Sequence, residues 1–362
     1  MKRLRSQHPH RLLGLLLACA VFAPFGMHAQ EAPSAAAVPS GDGHASAVPP
    51  ENSQEPHEDW GSIFIQKGAL EAAPPVLGEK DDLPTNKFIR ERYQLIWRDG
   101  DPLDLYVIRP RGVAKPPVIL YLYSFPQDTD RFKDDGWCSR VADGGFAAVG
   151  FVSALTGHRF HDRSMKQWFI SEFQEALGTS VHDVSMILDY LSTRGDLDMN
   201  DIGMFGQGSG GAIAILAAAA DERIKVLDLH DPWGDWPVWI AKSDLIPDKE
   251  RPNYVKSEFL ARVAPLDPIQ WLPKLSSRRI RLQDLRQEVN NPEKCQELIE
   301  AAAPDATVID QFGDGKAEYR ANSGGRIFDW AKHQLRPDYK PDFDSERTQR
   351  ITFYPPEGET IH

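Results

Sequence analysis

The chain has 362 residues, enough for one large domain or two small ones. Its formal net charge of -12 argues against nucleic acid and anionic membranes as partners. It has 3 cysteines, no CxxC or HExxH motif and no His/Cys cluster at metal-ligand spacing, so no metal or other cofactor is implied.

The first residues read as a targeting segment. A basic start, MKRLRSQHPHR, precedes the apolar run LLGLLLACAVFAPFG, and Ala29 offers a small residue for cleavage. Residues 1–29 are therefore expected to be a signal peptide, and the protein to be exported to a periplasm or secreted. The run is short and broken by Pro24 and Gly26, which does not suit a transmembrane span. LLAC resembles a bacterial lipobox, so a lipid anchor at Cys19 stands beside the plainer reading of a cysteine in the apolar run. Pro, Ala, Ser and Gly dominate residues 30–60, a composition that cannot bury a core and reads as a flexible linker. Structure is expected from about Trp60 and to be firm by Phe88. The folded domain would span 61–335 and a polar surface tail 336–362.

RYQLIWRDGDPLDLYVIRP alternates on both sides of RDGDP, as a hairpin does. PPVILYLYSF and FAAVGFVSAL are continuous apolar runs suited to buried strands, and between them DRFKDDGWCSRVADGG reads as a helix closed by Gly144 and Gly145. GTSVHDVSMILDYLSTRG carries Val181, Val184, Ile187, Leu188 and Leu191 at helical spacing. DIGMFG (strand), GGAIAILAAAADERI (helix), KVLDLHDPW (strand), RRIRLQDL (strand), NPEKCQELIEAAAP (helix), ATVIDQF (strand) and GGRIFDWAKHQL (helix) follow. Such alternation means an α/β fold: a mostly parallel sheet with helices on both faces. Residues 236–275, rich in Trp and Pro, interrupt it and read as a cap-like helical insertion over the strand C-termini. Cys138 and Cys295 fall on helices expected on opposite faces of the sheet, hence as two free thiols.

IGMFGQGSGGAIAILAAA, DPW after the next strand and DGGFAAVGF after the first helix together resemble the α/β-hydrolase superfamily, over about residues 88–335. Within it the likeness is to the dienelactone-hydrolase and platelet-activating-factor-acetylhydrolase-like branches. The resemblance implies a nucleophile elbow, a strained strand-to-helix turn whose tip residue carries the nucleophile. The residues two before and two after the tip lie hard against neighbouring backbone, so both must be very small. With Ser209 at the tip the flanks are Gln207 and Gly211, and Gln207 would overpack at a cost of roughly a few kcal/mol. With Gly208 at the tip the flanks are Gly206 and Gly210, which fit, and Gly208 bears the strained conformation most easily. The nucleophile position then reads as empty, with room left at the pocket floor.

The resemblance also places a histidine after the last strand. There the sequence is GDGKAEY, and Lys316 stands at that position. The acid is expected after the sixth or seventh strand of the family, where Asp231 or Asp284 and Glu288 are available, Asp231 being the better match. The oxyanion-hole stretch reads YSFPQD, in which Pro126 has no N–H to donate. Expected pocket-lining residues are Ser124, Phe125, Gln207, Gly208, Trp233 and Lys316, with Gln127 a further candidate. Two functions follow. One is an exported protein of this fold without a working nucleophile, in a binding or interaction role toward a small-molecule or cell-envelope ligand. The alternative is an active serine hydrolase of the esterase or peptidase kind, using Ser209 with Asp231. His158, Arg159, His161, Asp162 and Arg163 read as a pocket-mouth loop or as plain surface. Trp233, Trp236 and Trp239 read as a stacking platform for a sugar or as core packing.

Overall fold

The computed structural model describes residues 75–96, 102–124, 130–155, 173–286, 290–339 and 350–356. The expected signal peptide with Cys19, the linker, Phe125 to Gln127, the loop of His158 to Arg163, Glu288 and the tail beyond 356 lie outside the described residues. Among the described residues, ten strands form one sheet in the order β1-β2-β3-β5-β4-β6-β7-β8-β9-β10. β1 (Val76–Asp81), β2 (Phe88–Leu95) and β3 (Leu103–Pro110) are antiparallel neighbours, and β3 pairs antiparallel with β5 (Ala147–Phe151). From β5 outward the strands are parallel: β4 (Pro117–Leu122), β6 (Asp198–Gln207), β7 (Ile224–His230), β8 (Arg279–Leu285), β9 (Val308–Phe312) and β10 (Ile351–Tyr354).

The continuous apolar runs are explained by two covered faces. Along β4, Val118, Leu120 and Leu122 enter one core layer while Ile119 and Tyr121 enter the other. The first layer is closed by α3 (Phe173–Ser192), α4 (Ser209–Ala220), α5 (Trp236–Lys242) and α9 (Glu293–Ala302); the second by α1 (Asp130–Lys133), α2 (Asp135–Asp143) and α11 (Asp329–Leu335). A strand covered on both faces has no polar side to show, so alternation vanishes. Each such Leu, Ile or Phe contributes roughly 1.5–3 kcal/mol by leaving water. α1 and α2 are one helix in the sequence reading, but Asp134 divides them. Its carboxylate accepts from Trp137 N at 2.6 Å and caps a fresh helix. Cys138 and Cys295 are both buried and unpaired, one in each layer.

Residues 236–275 form the crossover from β7 to β8. They contain α5, α6 (Arg251–Tyr254), α7 (Ser257–Val263) and α8 (Pro268–Trp271), joined by 3-10 turns. α7 packs on α3, and α8 on α4 and α9. The tryptophans belong to this packing. Trp233, Trp236 and Trp239 are at most 1 % exposed, with Trp233 and Trp239 rings 4.4 Å apart and Phe173 4.7 Å from Trp236. Core packing is thus their role, and the sugar-platform reading falls. Among the described residues no helix is long and apolar enough to cross a membrane.

Candidate functional site

The site forms where β6 turns into α4. Gln207 ends the strand, Ser209 opens the helix, and Gly208 between them has φ 53° and ψ -115°. This left-handed φ costs an L-residue energy that glycine avoids. Three backbone bonds fix the turn: Gly208 N donates to His230 O at 2.9 Å, and Gly208 O accepts from Trp233 N and Ala212 N, each at 3.1 Å. The flanking glycines are required by contact. A Cβ on Gly206 would stand 2.5 Å from Gly210 O, and one on Gly210 would stand 2.3 Å from Leu122 O. Gln207, by contrast, is only half-buried.

The space over Gly208 is not open. A Cβ built there would stand 2.2 Å from Ser124 Oγ, 2.8 Å from Ser124 Cβ and 3.1 Å from Trp233 Nε1. Ser124, just past the end of β4, thus fills the place where a tip side chain would project. The expectation of room at the pocket floor is corrected: a shortened side chain in a close-packed molecule invites its neighbour in. Ser209 N–H, the group that would serve an oxyanion hole as the residue after the tip, donates to Ser124 Oγ at 3.4 Å. Ser209 itself is fully buried in the first turn of α4.

Lys316 is exposed in the first turn of α10 (Gly315–Asn322), behind its N-cap Asp314. Asp231 is buried at φ 46°, and its Oδ1 accepts from Leu285 N at 2.8 Å and Gln296 Nε2 at 3.0 Å. Its neighbour His230 is the histidine that the sequence reading passed over. His230 Nε2 lies 2.9 Å from Glu318 Oε1 and Nδ1 3.7 Å from Asp231 Oδ2. Burial works against the charged imidazole, but Glu318, Asp231 and Asp228 outweigh it and raise its pKa above 6.5. Both ring nitrogens therefore face carboxylates. Asp284 is fully buried, and burial followed by the charge of Asp231 lifts its carboxyl well above the usual range. His333 sits on α11 with Nδ1 2.8 Å from Tyr339 O. Ser124 is expected at the pocket from the YSFPQD stretch, whereas no spacing rule points to His230, which stands at no motif position of the family.

With this geometry in place, the comparisons decide the fold. The structure matches an acetyl xylan esterase from Paenibacillus sp. R4 with a TM-score of 0.55 and 17 % identity, covering 68 % of this chain and 83 % of that one. It matches Pyrococcus horikoshii acylaminoacyl peptidase with a TM-score of 0.54 and 15 % identity, over 72 % of this chain and 44 % of that one.

The chain has the α/β-hydrolase fold.

A further match of this fold is 2,6-dihydroxy-pseudo-oxynicotine hydrolase, with a TM-score of 0.52 and 19 % identity over 70 % of each chain. In sequence, the "Putative hydrolase YtaP" of Bacillus subtilis (strain 168) is 27 % identical over 140 residues. That stretch is 33 % of this chain and spans less than half, 45 %, of the relative. No family profile matches the sequence. At these identities the likeness speaks for the α/β-hydrolase scaffold, and the scaffold alone does not assign chemistry.

Proposed function

We propose that this protein is an exported α/β-hydrolase-fold protein that does not turn over acyl substrates and serves a binding or interaction role. The observation that carries the reading is Ser124 Oγ, seated 2.2 Å from the place of a tip Cβ and taking the Ser209 N–H. Two further features support it. Lys316 stands exposed where the family has its histidine, and His230 has both nitrogens turned to carboxylates. Acyl transfer without nucleophile and base loses several powers of ten in rate. The similar structures named as esterases and an acylaminoacyl peptidase make acyl compounds the ligand class to try first. Export rests on residues 1–29, with the lipid anchor at Cys19 as its variant.

The competing reading is an active hydrolase using Ser209 with Asp231. The complete burial of Ser209 and the bonds that hold Asp231 to Leu285 and Gln296 speak against it. A panel of short- to medium-chain aryl esters separates the two. No steady release above buffer is expected. Turnover that disappears in Ser209→Ala would establish the hydrolase.

A further inference from the structure

The elbow lacks its side chain, yet a hydroxyl still stands over it. We propose that Ser124 is an acyl acceptor, whose Oγ takes an acyl group from an activated ester and keeps it. The inference rests on the reading that the elbow supplies no nucleophile and the site no turnover.

Position is the first argument. A serine at residue 208 would hold its Oγ one bond length from the built Cβ, and Ser124 Oγ lies 2.2 Å from that same point. The hydroxyl comes from the end of β4 and stands over the turn, beside the place of a tip side chain. The second argument is the donor. Ser209 N–H, at the first turn of the 12-residue α4, lies 3.4 Å from Ser124 Oγ. An acyl carbon bonded to that Oγ would bring its oxygen to a backbone N–H at the positive end of a helix, where developing negative charge is stabilised. The third is access. Ser124 is partly exposed, whereas Ser209 is fully buried.

The fourth argument explains why the acyl group would stay. Among the described residues no carboxylate, imidazole or amine lies within hydrogen-bond distance of Ser124 Oγ, whose hydrogen bond there is with Ser209 N–H. His230 Nε2 is held by Glu318. Among the described residues, water therefore finds no base beside Ser124 to activate it for the second half of an acyl-transfer cycle. In the step itself, Ser124 Oγ bonds to the acyl carbon and its proton passes to hydroxide. The bond from that carbon to the aryl oxygen breaks, and the phenolate leaves with the electron pair.

The full chain is incubated with p-nitrophenyl acetate. Released p-nitrophenolate, intact mass and fragmentation of the labelled peptide are then measured. One acetyl group on Ser124 is expected, with a burst and no steady turnover. Without a general base, the labelling rate should climb about tenfold per pH unit through neutrality. Ser124→Ala should fall to background. Folded parent protein that carries no acetyl on Ser124, or carries it on another residue, overturns the proposal whatever the variant does. Steady turnover lost in Ser124→Ala would leave Ser124 as acceptor but overturn its retention of the acyl group and, with it, the reading of no turnover. Steady turnover untouched by that substitution overturns both.

Discussion

Gly208 and Ser124 occupy one space between them, and that coupling is measurable. Gly208→Ser must place a Cβ at φ 53° and 2.2 Å from Ser124 Oγ. We expect a loss of about 1–3 kcal/mol in urea unfolding, from backbone strain and overpacking together. Ser124→Gly removes both Ser124 contacts, so Gly208→Ser should cost less in that background, and a double-mutant cycle should show favourable coupling. Strictly additive effects would mean the two residues do not share the space. His230 gives a second residue-level test. Its pKa is raised in the fold, so its contribution to stability is complete below 6.5 and is lost as pH rises through the higher folded value. Melting temperature should therefore fall from about pH 6 to about pH 9 more steeply in the parent than in His230→Gln. Equal slopes would remove the ion pair with Glu318 from the account.

At the scale of elements, the elbow and the crossover after β7 are held by different means. The elbow is a matter of backbone against backbone, Gly206 on Gly210 and Gly210 on Leu122. The crossover begins with a polar pin. Asp267 accepts from Asp235 N at 2.9 Å, Trp236 N at 2.8 Å and Ile269 N at 3.2 Å, tying the entry of the segment to its later helices. Burial lifts its carboxyl to about 6 against the pull of those three N–H groups. Asp235 bears φ 55° and caps α5 through Val238 N. Asp267→Ala leaves buried donors unmet and should destabilise by about 1–3 kcal/mol in chemical denaturation. The tryptophans beneath would then become reachable by fluorescence quenchers. No change in either signal would show that the pin is dispensable.

Across the whole molecule, the second layer hides a charged network that closes the far half of the sheet. Arg281 binds Asp228 through two bonds of 2.9 and 2.7 Å and donates to Ile327 O at 2.7 Å. Gln283 bonds Asp228, and Asn322 bonds Gln283. Arg281→Met strands the Asp228 carboxylate at 0 % exposure, takes the cation from Asp310 at 3.5 Å and should cost about 3–5 kcal/mol, whereas Arg281→Met with Asp228→Leu should recover the part that belongs to Asp228. Equal loss in single and double variants would argue that packing, not charge, is at stake. β10 closes the edge: Gly313 N donates to Tyr354 O at 2.9 Å, and Tyr354 stacks on Phe312 at 4.9 Å. Its four residues, ITFY, lie within the segment read as surface tail, because an exposed edge strand needs no buried face to announce it. β1 escaped notice for the same reason. The alternating strands and helices, the two-faced burial of β4 and the glycine spacing at the turn were legible, since each is a local consequence of periodicity or of steric need. VILYL can only be a strand covered twice, and Gly206, Gly208 and Gly210 can only space a turn pressed against its neighbours. What came to occupy the turn was decided in three dimensions. Ser124 is 84 positions from Gly208 and His230 is 88 from Glu318, and no local pattern links residues that the crossing of β4, β6, β7 and α10 alone makes neighbours.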